Sequence, residues 1–236
     1  MKMNILKNII TLLLKLPINL WEMLITYLPG EAGFLFRYRY WKKRLKQLGT
    51  NARINVGVYF QKPEFISIDD NCLVDRNVVI LAGPPGTERI THFIDNKDFS
   101  LLKGEVYIGK NSHIAPNCVL SGIGGLYIGK NCGIASNSSV YSFSHHYRNL
   151  TDRKDNMQYS FTPMARYDQQ SMISGPVAIE DYSAVGLNSV ILPGTSIKKG
   201  SWISSGSIVT GQYPKQTLLQ NNNQPHSKKL KLFIKE

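Results

Sequence analysis

Two histidines stand side by side in the segment Ser144-His145-His146-Tyr147. Imidazole titrates near neutral pH, so it can take a proton from a reacting group, and in its neutral form it can ligate a metal. A metal site would need several ligands in phase. His113 and His145 are two candidates, but His92 and His226 fall outside the regular pattern of the chain, so no metal is expected. The proton-transfer reading rests on where His145 stands. It closes a six-residue unit, beside Ser144, which the pattern places inside; its side chain should therefore point outward. From His146 to Pro176 the unit then disappears for 31 residues and afterwards resumes. Long polar loops thrown out from a rigid scaffold are where binding and catalytic groups concentrate.

That scaffold is legible as a period of six. Ile179, Val185, Ile191, Ile197, Ile203 and Val209 are all β-branched and evenly spaced. Four residues after each of the first five comes Ser183, Ser189, Thr195, Ser201 or Ser207. Just before each stands Tyr182, Asn188, Gly194, Gly200 or Gly206. Ile68, Val74, Ile108, Ile114, Ile128, Ile134 and Val140 open seven further units, which with the first five make 12, and 10 of the 12 carry Asn or Gly at the corner. Neither a helix nor a flat strand repeats every six residues, whereas a β-solenoid does. The branched and small residues should fill the coil, and Asn or Gly should take the left-handed backbone at the corner. Cys72, Cys118 and Cys132 all occupy the small interior position, so they read as packed thiols rather than as disulfides.

The hexads together with Ser144-His145, a long loop and the restart at Gly175-Pro176-Val177-Ala178-Ile179-Glu180-Asp181 resemble the hexapeptide-repeat acetyltransferases, and the stretch Leu28-Pro29-Gly30 through Gly49 looks like the segment that precedes the helix in the surface-polysaccharide O-acetyltransferases. The resemblance implies an all-β solenoid, a left-handed parallel β-helix preceded by an N-terminal helical segment. It implies an acetyl-CoA-dependent O-acetyltransferase working on a sugar hydroxyl of a surface polysaccharide or its lipid-linked precursor. His145 would be the general base, with His146 next to it as the fallback. Acetyl-CoA contacts carried over by position fall on Gly186, Ser205 and Thr210, and on Lys228 in the tail. Asp75, Tyr147, Arg148 and Arg166 are the candidates for the acceptor. A homotrimer is implied, because that family builds its sites between parallel solenoids. Two other readings stay open: an N-acetyltransferase on an amino sugar nucleotide, and a non-enzymatic scaffold, which would have no need of a histidine followed by such a loop.

The organisation expected is a helical segment over 1–49, a solenoid over 50–212 with excursions at 84–104 and 146–176, and a basic tail over 213–236. Residues 1–49 carry nine Lys or Arg against Glu22 and Glu31, of a whole-chain charge of +12. No nucleic-acid motif accompanies that excess, so an anionic membrane surface is the expected partner. Residues 1–28 are apolar at helical spacing, but Lys15, Pro17 and Glu22 interrupt them, too often for a spanning helix. They read either as a helix packed on the solenoid or a neighbouring subunit, or as an interfacial anchor with Trp21 and Tyr27 at headgroup level. The Arg37–Lys46 cluster would reinforce the anchor. The location expected is cytoplasmic, peripheral on the inner face of the membrane.

Overall fold

The computed structural model describes residues 20–96, 99, 101–152 and 154–219, with the backbone of 228 and 229. The chain winds as a left-handed parallel β-helix of three faces. Its coil strands are two or three residues long, because each hexad spends the rest of its length on a corner. Face one stacks Gln47–Leu48, Ile66–Ile68, Val106–Ile108, Leu126–Ile128, Val177–Ile179, Ser196–Ile197 and Gln212–Tyr213. Face two runs from Arg53–Ile54 to Thr217–Leu219, beside which the backbone of Lys228–Lys229 pairs antiparallel. Face three runs from Tyr59–Gln61 to Ile208–Val209.

The branched column fills the interior as its spacing requires. Ile68, Val74, Ile108, Ile114, Ile128, Ile134, Val140, Ile179, Ile191, Ile197 and Ile203 are fully buried, and Leu48, Ile54 and Phe60 extend the core into a first coil. The small positions satisfy their hydroxyls on the next coil: Ser112 Oγ donates to Gly129 O at 2.8 Å, and Ser138 Oγ to Gly186 O at 2.8 Å. A buried hydroxyl is costly only when it is unpaired, so a serine column is tolerated here. Asn71, Asn77, Asn111, Asn117, Asn131, Asn137 and Asn188 all take positive φ between 55° and 61°, and so does Tyr182 at 60°. Asn51, Asn71, Asn111 and Asn131 also form a hydrogen-bonded amide ladder down one corner.

Partners in successive coils of face one lie 20, 40, 20, 51 and 18 residues apart: Leu48↔Ile68, Ile68↔Ile108, Ile108↔Ile128, Ile128↔Ile179 and Ile179↔Ile197. A bare turn of three hexads takes 18, so the larger offsets measure insertions. All of them enter at one corner, between face three and face one. The two long ones meet there. Ile90–Phe93 from the first excursion lies parallel to Ser171–Ser174 from the second, and Ser171–Ser174 is antiparallel to Phe143–His146. The short corner between them is glycine-rich because there is no room: a Cβ on Gly124 would sit 2.2 Å from Ser142 O and 3.0 Å from Ser174 Oγ.

Helix α1 (Gly30–Lys42) closes the N-terminal end of the solenoid, a role that repeat proteins assign to a distinct capping element. Trp41 is buried against Phe60, with ring centroids 4.8 Å apart. Arg37 is also buried. Its Nε donates to Ile54 O at 2.7 Å and its Nη1 to Leu28 O at 2.6 Å and Ile25 O at 3.1 Å, so it pins helical residues 20–27, α1 and the first coil together. Lys42 donates to Leu48 O, and Lys46 pairs with Glu105. Much of the Arg37–Lys46 cluster therefore works within the molecule. Residues 1–19 and the Gln220–Gln224 spacer lie outside the described residues. Among the described residues no helix is long and apolar enough to cross a membrane.

Candidate active site

His145 belongs to the small sheet at the excursion corner, opposite Met172. The chain leaves the solenoid one step earlier than the hexad count implies. Ser142 is the buried serine, donating to Ser121 O at 2.7 Å and accepting from Gly124 N at 2.9 Å. Ser144, expected inside the coil, instead sits half-buried in the strand Phe143–His146. The reason is that Phe143 turns no corner: the backbone continues extended and finds a ladder partner in the second excursion.

Strand alternation then decides which side chains share a face. His145 pairs with Met172 and Met172 with Thr91, so Gln170 and Arg89, two positions away, look to the same side as His145. The His145 ring stacks on Phe161, with centroids 5.8 Å apart and planes 28° apart. Its Nε2 is buried without a hydrogen-bond partner. Burial pushes the His145 pKa below its ordinary value; the Arg89 charge pushes the same way, and the Gln170 carboxamide partly opposes both. Gln170 is fully buried, with its Nε2 donating to Ala165 O at 2.5 Å and to Pro163 O at 3.4 Å. Its Oε1 is left without a partner. No hydrogen bond of ordinary geometry joins Gln170 to His145, so the amide oxygen is a neighbour available to the ring and not yet engaged with it.

The other candidates scatter. His146 faces the opposite side of the sheet, its Nδ1 3.1 Å from Arg148 N and 2.8 Å from Arg148 O, and it stacks on Tyr147 at 4.8 Å. It is occupied by its own turn. Tyr147 shares the His145 side and is half exposed. Arg148 lines a groove of about 450 Å³ with His92, Asn149, Leu150, Asp155 and Asn156. Asp155 is held below the usual carboxylate range by the Tyr159 hydroxyl, Met157 N–H and Asn149. Arg166 is exposed and paired with Asp168 at 2.7 Å. Asp75 lies across the coil on face two. There Asn55 Nδ2 donates to its Oδ1 at 2.8 Å, and His113 Nε2 stands 3.4 Å from its Oδ2.

Gly186 and Ser205 occupy the corner between faces two and three, and exposed Thr210 the corner between faces three and one. Gly186 has a structural reason of its own: a Cβ there would come within 2.5 Å of Ser205 N in the next coil. The Lys228 side chain lies outside the described residues. Cys72, Cys118 and Cys132 are buried, and burial pushes the Cys118 and Cys132 thiols up to about 11, which leaves them unreactive. Among the described residues no three His, Cys, Asp or Glu side chains converge on a metal-sized site. Gln170 and Arg89 were invisible as site residues in the sequence, because only the pairing of the two excursions brings them to His145.

The coil and its excursions define the class first. Residues 176–211 match the family described as hexapeptide repeat of succinyl-transferase, and the parallel coils of the structure run from Gln47 to Leu219. Solved structures of the same fold follow. AntD, an N-acyltransferase from Bacillus cereus, determined as a variant in complex with dTDP and coenzyme A, superposes with a TM-score of 0.60 at 19% identity over 81% of this chain and 85% of that one. Another AntD variant, in complex with dTDP-4-amino-4,6-dideoxyglucose and coenzyme A, gives 0.55 at 21% identity over 77% and 82%. A maltose O-acetyltransferase from Clostridium difficile 630 gives 0.51 at 16% identity over 87% and 81%. A search of curated protein sequences returns no match.

Proposed function

We propose that the protein is an acetyl-CoA-dependent O-acetyltransferase that modifies a sugar hydroxyl of a surface polysaccharide or its lipid-linked precursor. The observation that carries this reading is His145: a half-buried imidazole whose neutral form is favoured, at the corner where two excursions leave an acyltransferase-type coil. The acceptor oxygen attacks the thioester carbonyl while its proton passes to His145. The tetrahedral intermediate collapses with cleavage of the C–S bond, and the departing CoA thiolate takes that proton back. The nearby Arg89 charge favours an alcohol over an ammonium acceptor, which a cation would repel.

A second reading, N-acylation of an amino sugar nucleotide, gains support from His113 and Asp75. A carboxylate beside an imidazole suits an amine that must lose a proton before it attacks.

For acetyl-CoA, Gly186 and Ser205 lie on one edge of face three, and Thr210 and His145 on the other. One chain therefore cannot line a narrow groove with all four. The outward residues between the edges are Tyr59, Val79, Val119, Ser139, Val190 and Ile208, largely apolar, with Ile208 73% exposed. Both features support a homotrimer that joins one chain's edge to its neighbour's. Leu20, Trp21, Met23, Leu24 and Tyr27 on helical residues 20–27 are exposed and suit a peripheral anchor at the cytoplasmic membrane face. The full chain is expected to pellet with anionic vesicles. Recovery in the supernatant at low salt would remove the anchor from the account. Transfer itself is tested by incubating the protein with labelled acetyl-CoA and candidate glycans and locating the acetyl by mass spectrometry.

A further inference from the structure

Among the described residues only four buried side-chain polar atoms lack a hydrogen-bond partner, and three of them belong to this corner: Arg89 Nε, His145 Nε2 and Gln170 Oε1. Native proteins rarely leave buried polar atoms unpaired; of these three, Arg89 Nε is the obligate donor lacking an acceptor, which a ligand anion would supply, while Gln170 Oε1 is an acceptor that a ligand hydroxyl or a His145 N–H would satisfy. We propose that Arg89 reads a negative charge on the acceptor, so that the sugar acetylated at this corner carries a carboxylate or a phosphate. This inference rests on the reading of His145 as the transfer site.

Four further observations support it. Arg89 stands immediately before the strand Ile90–Phe93 and Gln170 immediately before Ser171–Ser174. Ile90 pairs with Ser171, so the two side chains emerge together beside His145. The guanidinium rests over the Tyr167 ring, 5.0 Å from its centroid, which fixes its plane without neutralising its charge. Arg89 has no carboxylate partner among the described residues. The acidic groups of the second excursion are engaged elsewhere, Asp152 with Lys154 N, Asp155 with Tyr159 and Asn149, and Asp168 with Arg166. The cation keeps His145 neutral before the acceptor binds, but it disfavours the protonated ring that forms during transfer. That arrangement becomes productive when the substrate brings the anion, since Arg binds planar oxyanions through paired, charge-assisted hydrogen bonds.

The test uses the full chain with acetyl-CoA and three classes of acceptor: uronate-containing oligosaccharides, sugar phosphates including sugar nucleotides, and neutral oligosaccharides. The wild type is expected to prefer one of the two charged classes, and which one identifies the anion. Arg89→Gln is expected to raise KM for the preferred class about 10- to 100-fold, the range for losing a charged hydrogen bond, and to raise it far more for that class than for neutral acceptors compared at the same pH. Arg89→Lys should recover part of the loss. Equal use of neutral and charged acceptors by the wild type, or an equal loss on both in Arg89→Gln, would overturn the proposal. Acceptor binding is also followed without acetyl-CoA, through the His145 ring proton signals in NMR. Glucuronate or inorganic phosphate, but not glucose, should raise the His145 titration midpoint in the wild type and not in Arg89→Gln. If neither anion moves it, the proposal fails even where transfer is confirmed. If His145→Ala still transfers acetyl, the transfer reading fails while the anion result stands on its own.

Discussion

A histidine serves as a base when the protein favours its neutral form and still lets the acceptor reach it. His145 is placed that way by burial first and by Arg89 second, with Gln170 pulling in the opposite direction. Because its pKa lies below the ordinary value, kcat/KM should already have reached its plateau at neutral pH, with the acid limb below the usual imidazole range. Arg89→Gln removes a lowering influence, so the limb should move to higher pH. Gln170→Leu removes the raising influence, so the limb should move lower. A pH profile in which both variants shift the same way would contradict these assignments. His146, tied to the Arg148 backbone, should matter less: His146→Ala should cost much less turnover than His145→Ala, and the reverse order would transfer the role.

At the scale of elements, the site depends on two excursions meeting over a corner that has no space to spare. Gly124→Val would push a branched side chain into the Ser142 carbonyl and the strand Ser171–Ser174, and overpacking of this kind costs about 1–3 kcal/mol. The solenoid should survive, while residues 84–104 and 146–176 become open to limited proteolysis and turnover drops. Protease resistance and activity like those of the wild type would show that this contact does not hold the site. The coils themselves were readable from sequence, because Ile, Ser and Asn each hold one column whose role is local: fill, hydrogen-bond across, turn. The first coil was harder to see, since Leu48 and Phe60 are not β-branched and Ala52 replaces the serine. The small sheet could not be read at all. Its parallel pair, Ile90–Phe93 and Ser171–Ser174, lies 81 residues apart in sequence and follows no period, so nothing local announces that Arg89 and Gln170 will meet at His145. Ser144 reads as interior in the sequence for the same reason. Its hexad looks intact until Phe143 is seen to run straight into the second excursion.

The whole molecule is a rod whose core is one continuous stack, so damage at a single interior position is felt along it. Ile197 is fully buried between Ile179 and Tyr213 in the face-one ladder. Ile197→Asp should leave a carboxylate with no partner and abolish cooperative folding, as followed by circular dichroism and thermal melting. A melt like that of the wild type would mean that the register is wrong. The proposed assembly, in which the edge bearing Gly186 in one chain meets the edge bearing His145 in the next, predicts a trimer in sedimentation; an active monomer would refute it. The most direct measurement of the whole account is acetyl transfer from labelled acetyl-CoA to defined glycans, compared between wild type and His145→Ala. The account predicts an alkali-labile ester on a sugar oxygen, with turnover lowered about 10²- to 10⁴-fold in His145→Ala. An alkali-stable amide on a sugar nitrogen, or transfer that is indifferent to His145, would contradict it.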